Sequence, residues 1–181
     1  MSTTLDTNLT QTSLAAGDWQ IDPAESELAF ETRILFGMIP VRGRYSEYAG
    51  ELHVDPSGSA SGELRIEART VRTGIRKRDN HLRSSDFFAV DDHPHLRFEL
   101  ATLTASSGGS PRLTGTLHVR GHALPIDAQV SLEQVGPDRL RINADFPVDH
   151  RSSGLGDTGS GWKKVPETLR AHAALTLART S

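Results

Sequence analysis

The chain has no cysteine among its 181 residues. That excludes disulfides, thiolate-held iron–sulfur clusters, thiolate zinc sites and a cysteine nucleophile. Long hydrophobic runs are missing as well. No stretch approaches the ~20 consecutive apolar residues that cross a bilayer, so no integral membrane segment is expected. Met1 to Gly17 holds no Lys or Arg and no apolar run of leader length. The basic and hydrophobic regions of a secretory signal are absent from it, and a cytoplasmic location is the expectation. Charge of one sign is scarce: the net charge is −3, with 24% of residues charged and 36% apolar. This composition argues against intrinsic disorder. Lysine is rare, three residues against 17 Arg. The densest basic stretch, Arg65 to Arg83, has no aromatic residue interleaved for base stacking, so no nucleic-acid partner is expected. Gly-x-Ser-x-Gly, the nucleophile elbow of a hydrolase, is also missing.

What is present is a period of two. Leu28, Phe30 and Ile34 share one parity with Thr32 between them. The pattern continues through Leu64, Ile66 and Ala68, then Leu96, Phe98 and Leu100, then Leu113, Gly115, Leu117 and Val119. It resumes in Ile126, Ala128 and Val130, in Leu140, Ile142, Ala144, Phe146 and Val148, and in Leu169, Ala171, Ala173, Leu175 and Leu177. The opposite parity is mostly polar, as in Arg139, Arg141, Asn143 and Asp145. Successive strand side chains point to opposite faces, so each run is a strand with one apolar and one wet side. Turn signals such as Asp55-Pro56-Ser57-Gly58, Gly121-His122 and Gly136-Pro137-Asp138 separate them. Seven to nine such strands predict an all-β domain, a closed antiparallel barrel or a two-sheet sandwich.

Two stretches depart from the period. Thr73 to Val90 is polar and does not alternate; Lys77 to Ser84 fits about two turns of helix, with Phe87 and Phe88 tucking inward. Asp149 to Lys164 is a long Gly-rich loop. Residues 1–17 read as a flexible tail, and 18–181 as a single domain.

Candidate chemistry is thin. His93-Pro94-His95 followed by Glu99 could present two imidazoles and a carboxylate to a metal, the rival reading being a metal-dependent β-barrel enzyme. Against it, Phe87 stands where the matching barrel pattern carries glycine, and no second His block follows. No metal, cofactor or catalytic residue is therefore assigned. The inward positions carry the stronger signal. Gly115, Ala128, Ala144, Ala171, Ala173 and Thr32 are small, which leaves room inside a barrel for an apolar ligand.

Specific motifs add a resemblance. Trp19-Gln20-Ile21-Asp22 with Ser26 to Phe30, Val41 to Tyr45 with Gly50-Glu51-Leu52, and above all Thr73-Gly74 through Arg78-Asp79-Asn80-His81-Leu82-Arg83-Ser84-Ser85-Asp86-Phe87-Phe88 resemble the YceI-like family. Pro94 to Phe98, Leu113 to Leu117 and Arg120-Gly121 extend the match from about Trp19 to Leu177. Ala89 departs from the family's usual acidic residue, and the Asp149–Lys164 stretch is longer and richer in glycine.

The resemblance implies a lipocalin-like antiparallel eight-stranded β-barrel with one short helix and an apolar lumen. It implies a non-enzymatic carrier whose ligand is an isoprenoid-type lipid: a polyisoprenoid, an isoprenyl pyrophosphate or an isoprenoid quinone. The expected partner is thus an apolar chain-like small molecule, and a homodimer stays open. Strand parity nominates Phe30, Ile34, Phe36, Phe98, Leu117, Ile142, Phe146 and Leu175 for the lumen, with Phe87 and Phe88 over one end. Arg42, Arg44, Arg78 and His81 are the candidates for holding a head group, Arg being suited to pyrophosphate. For Arg78 the reading preferred to a head-group role is an ion pair with Asp79 that anchors the short helix.

Overall fold

The computed structural model describes residues 14–34, 37–104, 110–153 and 168–180. The alternating runs become strands β1 (Gly17–Ile21), β2 (Glu27–Ile34), β3 (Ile39–Tyr45), β4 (Tyr48–Val54) and β5 (Ala60–Glu67). After helix α1 (Arg76–Arg83) follow β6 (His95–Thr104), β7 (Arg112–Val119), β8 (His122–Gln134), β9 (Arg139–Asp149) and β10 (Thr168–Arg179). From β4 to β10 each strand pairs antiparallel with the next. The free edge of β10 then pairs with β2 over residues 170–174 and with β1 over 177–179. β1 and β2 are two halves of one stave. So are β3 and β4, which pair with β2 and β1 respectively. The result is a closed antiparallel barrel of eight staves, as expected. No helix among the described residues is long and apolar enough to cross a membrane.

The break between β1 and β2 explains two motif residues. Pro23 cannot donate to a ladder, and here it opens a short 3-10 turn whose first free amide, that of Ala24, is capped by the Asp22 carboxylate at 3.1 Å. The bulge outward leaves the Thr176 amide on β10 facing no backbone acceptor. Ser26 Oγ takes that hydrogen bond at 2.9 Å and donates its own to the Asp22 carbonyl at 2.7 Å. Tyr48 Oη then donates to the Ser26 carbonyl at 2.6 Å.

Parity holds along β7 to β10 but not through β6. Leu100 faces Gly115 and Thr102 faces Thr114, so Ala101 is an extra residue. This bulge turns Leu103 inward, 4% exposed, out of phase with Leu96 and Phe98. The β7–β8 hairpin turns on Arg120 (φ 51°) and Gly121 (φ 76°), one residue earlier than the Gly121-His122 signal suggested. Two left-handed residues give the tight turn whose twist matches the strands.

The interior divides into two packed clusters. At one end Trp19, 1% exposed, packs with Leu52, Val54, Leu103, Leu140 and Leu177, and Leu14 joins them. Its indole Nε1 donates to the Ala15 carbonyl at 3.3 Å. At the other end Leu28, Phe30, Ile66, Leu96, Leu124 and Val148 meet Val71, Phe88 and Val90 from the segment around α1. That segment fills the gap on the edge of β3 away from β2, where among the described residues a single bridge joins Arg44 to Arg72. Its anchor is Thr73. The Asp79 carboxylate accepts from Thr73 N at 2.7 Å and Oγ1 at 2.6 Å, while Arg78 donates to Thr73 Oγ1 and to its carbonyl. Arg78 and Asp79 thus hold the helix through a shared threonine, and not as a pair with each other. The helix starts one residue before the expected Lys77 and ends one before Ser84.

Small inward residues do not simply leave empty space. A Cβ on Gly115 would lie 2.4 Å from Phe98 Cζ and from the Glu99 carbonyl oxygen, and one on Gly43 would lie 2.3 Å from Phe30 Cζ. Each glycine is the bed on which a neighbouring ring rests. Substituting Gly115→Ala is expected to lift Phe98 off its seat and cost about 1–3 kcal/mol, read as a lower urea midpoint with an unchanged slope.

Both tyrosines of the chain sit in this end of the barrel. The Tyr45 ring lies 6.1 Å from Phe30 and 6.2 Å from Phe88. Burial pushes its phenol well above the ordinary tyrosine range, and burial with the nearby Glu27 charge raises Tyr48. Unfolded tyrosines ionise near pH ~10. Above that pH the folded state holds protons that the unfolded state has lost, so stability falls as pH rises. The urea midpoint should drop through this range, and tyrosinate absorbance should grow only as near-UV circular dichroism is lost.

Candidate functional site: an apolar lumen

Inside the barrel, toward the α1 end, is a cavity of about 160 Å³. Of the 24 residues lining it only Tyr45, His150 and His172 carry polar side-chain atoms, and His172 Nδ1 lies 3.3 Å from the Asp145 carboxylate. The walls come from all eight staves together with Phe88 from beyond the helix. On β9 the lining runs from Ile142 to Val148, and on β10 from Leu169 to Leu175. At roughly 3.3 Å per residue the lining is about 20 Å long, so the space is elongated along the staves. Ala144, Ala171 and Ala173 line it from two adjacent strands, where larger side chains would close it.

Parity placed most of the lumen. Phe30, Phe98, Leu117, Ile142, Phe146 and Leu175 all line the cavity, as does Phe88. Ile34 does not; it is half-buried at the far end of β2. Phe87 does not either. Its ring stacks edge-on against His81 at 5.0 Å, outside the cavity, so only the second of the two phenylalanines turns in. Phe36 falls outside the described residues, as do residues 154–167 of the Gly-rich loop.

Tyr45 was not among the sequence candidates, although its alternation with Val41 and Gly43 marks it as inward. Leu64, Leu113 and Ile126 line the cavity too, on the same rule.

The head-group candidates do not converge on the lumen. Arg42 and Arg44 alternate with the inward Val41, Gly43 and Tyr45 and are exposed on the outer face of β3, with Arg42 3.0 Å from Glu31. Arg78 is taken up by Thr73. His81 is exposed beside Phe87, with Nδ1 3.8 Å from Asp86. The strand period itself is the reason for the first two: residues flanking an inward position must face away.

The His93, His95 and Glu99 set does not assemble either. His95 Nε2 lies 2.9 Å from Glu67, and Glu99 is held by Arg97 at 2.6 Å and His118 at 3.1 Å on the outer face of the sheet. Among the described residues no group of three or more His, Asp or Glu side chains is placed to hold a metal ion.

Three comparisons bear on this barrel. The model of the YceI-like domain family matches residues 19–176. A UPF0312 protein of Pseudomonas aeruginosa is 30% identical over 126 residues, 68% of this chain and 65% of the relative, and one of Shewanella denitrificans is 28% identical over 134 residues, 72% and 70%. The chain thus spans about two thirds of the length of these relatives. Among solved structures, BcnA of Burkholderia cenocepacia superposes with a TM-score of 0.75 at 18% identity, covering 86% of this chain and 98% of that one. A polyisoprenoid binding domain from Saccharophagus degradans gives 0.71 at 17% identity, covering 90% and 98%. At such identities the superpositions speak for the fold. The family match covers most of the chain and includes the Trp19, Asp22, Ser26, Thr73 and Asp79 positions whose structural roles are described above, and the chain belongs to the YceI-like domain family.

Proposed function

We propose that this protein is a lipid carrier that encloses the apolar tail of a chain-like ligand of isoprenoid type within its barrel. The observation that carries the reading is the lumen itself, an elongated cavity with almost no polar group on its walls. Such a surface reads shape and apolar area only. Burying ligand surface there contributes about 2.5 kcal/mol for every 100 Å² removed from water. The polyisoprenoid binding domain of Saccharophagus degradans, which shares the fold, supports the same ligand class. The outward placement of His95, paired with Glu67, and of Glu99, paired with His118, favours a carrier over a metal-dependent enzyme.

Magnitude refines the proposal. A void of 160 Å³ is comparable with an engineered cavity of about 150 Å³ that takes one benzene, and lies below the ~300 Å³ of an ordinary ligand pocket. A longer tail therefore enters by turning aromatic side chains aside. Phe30 and Phe98, seated on Gly43 and Gly115, are the rings with room-making rotations, since the glycine beds present no side chain of their own. Tyr45, one of the three lining residues with polar side-chain atoms, is the group that would meet a carbonyl or hydroxyl at the end of such a tail.

Organic extraction of the purified protein followed by mass spectrometry tests this directly. An apolar chain lipid at near-stoichiometric amount is expected. In Ala173→Leu, which fills the cavity from β10, the lipid should fall at least tenfold while the protein stays folded. Absence of any extractable lipid, together with no uptake of a fluorescent apolar probe by the wild type, would overturn the proposal.

A further inference from the structure

A second, larger space lies outside the barrel. It is an open cleft of about 890 Å³ on the outer side of β2 and β3, bounded by the Arg72–Gly74 segment and α1. Five arginines face it, against the two carboxylates Glu27 and Asp79. Several of these charges are already committed. Arg42 pairs with Glu31, Arg83 donates to the Arg69 and Val71 carbonyls, and Asp79 is held by Thr73. Arg44, Arg72 and Arg76 are not. None of the three makes an ion pair or a side-chain hydrogen bond among the described residues, and Glu27 pairs with none of them.

The fold holds two of these charges together. Arg44 and Arg72 exchange both backbone hydrogen bonds, each at 2.9 Å. In an antiparallel pair of this kind the two residues stand directly opposite and their side chains leave from the same face. Like charges directly opposite each other are destabilising, yet among the described residues neither Arg44 nor Arg72 forms an ion pair, although Glu27 lines the same cleft. Arg76 adds a third guanidinium at the first position of α1, where the capping residue Ile75 offers no side-chain acceptor to the first-turn amides. The positive end of the helix dipole adds to the same potential.

We propose that this cleft is a binding site for a phosphate-type polyanion, a phosphomonoester or a diphosphate, bridged by Arg44 and Arg72 and closed over by Arg76. Guanidinium forks suit this chemistry, because each presents parallel N–H donors to a pair of phosphate oxygens. The bound anion supplies the counter-charge that the Arg44–Arg72 pair lacks. The charged side chains belong to the outer face: Arg42 and Arg44 alternate with the inward Val41, Gly43 and Tyr45, while Ala29 lies in the shared wall and borders both the cleft and the lumen. The same chemistry is offered by a soluble phosphate ester and by the phosphomonoester of a lipid surface, and the test is arranged to tell them apart.

The wild type, Arg44→Gln/Arg72→Gln and Arg76→Gln are titrated calorimetrically with inorganic pyrophosphate at low ionic strength, and sedimented with phosphatidylcholine vesicles containing phosphatidic acid. The double variant should weaken binding roughly 100-fold, and Arg76→Gln roughly tenfold, as expected for loss of charge-assisted hydrogen bonds. Arg141→Gln, which removes a partner of Glu133 on β9, should bind as the wild type does. Pyrophosphate should raise the Tm of the wild type and leave that of the double variant unmoved; without anion, the double variant should melt no lower than the wild type. Pyrophosphate binding identifies a soluble ligand, and vesicle binding without it identifies a lipid phosphate. The proposal fails if the wild type binds neither, or if the double variant binds either one as the wild type does.

Discussion

Strand β10 bonds to β9 along its length on one edge and to β2 and then β1 on the other, and without that second edge there is no inside. Closure gives every inward side chain a shared interior and every outward one solvent. It also imposes a conflict, because one stave must bend to serve both ends of the ring. The bend falls at Asp22–Ser26, and a serine hydroxyl stands in for the missing ladder partner of Thr176. A buried amide left without an acceptor costs about 1–3 kcal/mol, so a short polar side chain at Ser26 is a condition of a closed barrel with a kinked stave.

Given closure, the interior is shaped by pairs of unequal residues on adjacent strands. Glycine at positions 43 and 115 receives the rings of Phe30 and Phe98, so the smallest and among the largest inward residues are complementary. Alanines at 144, 171 and 173 border the remaining space. Around it, the polar anchoring of Thr73 by Asp79 and Arg78 brings Phe88 and Val71 over the end of the barrel.

Alternation made the architecture legible, because a strand with one buried face must write its apolar residues two apart. It placed Phe30, Phe98, Leu117, Ile142, Phe146 and Leu175 on the lumen without any contact being known. It was silent where geometry is not periodic. The bulge at Ala101 reverses the phase of β6, and nothing in the run Leu96 to Leu103 marks the residue that is skipped. Phe87 and Phe88 follow a helix, where neighbours diverge by a turn and not by a face, so only one enters. The Arg44–Arg72 contact joins residues 28 apart through a single bridge, and no local pattern announces it. Arg42 and Arg44 are readable as outward from their alternation with Val41, Gly43 and Tyr45, which sets them apart from the lumen.

Trp19 gives the barrel a floor. Packed with Leu52, Leu103, Leu140 and Leu177, and itself 1% exposed, it fills the cross-section at the end away from α1. A vessel with one closed end works as a ruler. On the carrier reading proposed above, a tail is measured against the depth above the indole, and any carbon beyond that depth stays in water. On that reading entry and exit share one path travelled in opposite directions, and a barrel of this kind would store and return its cargo without passing it through.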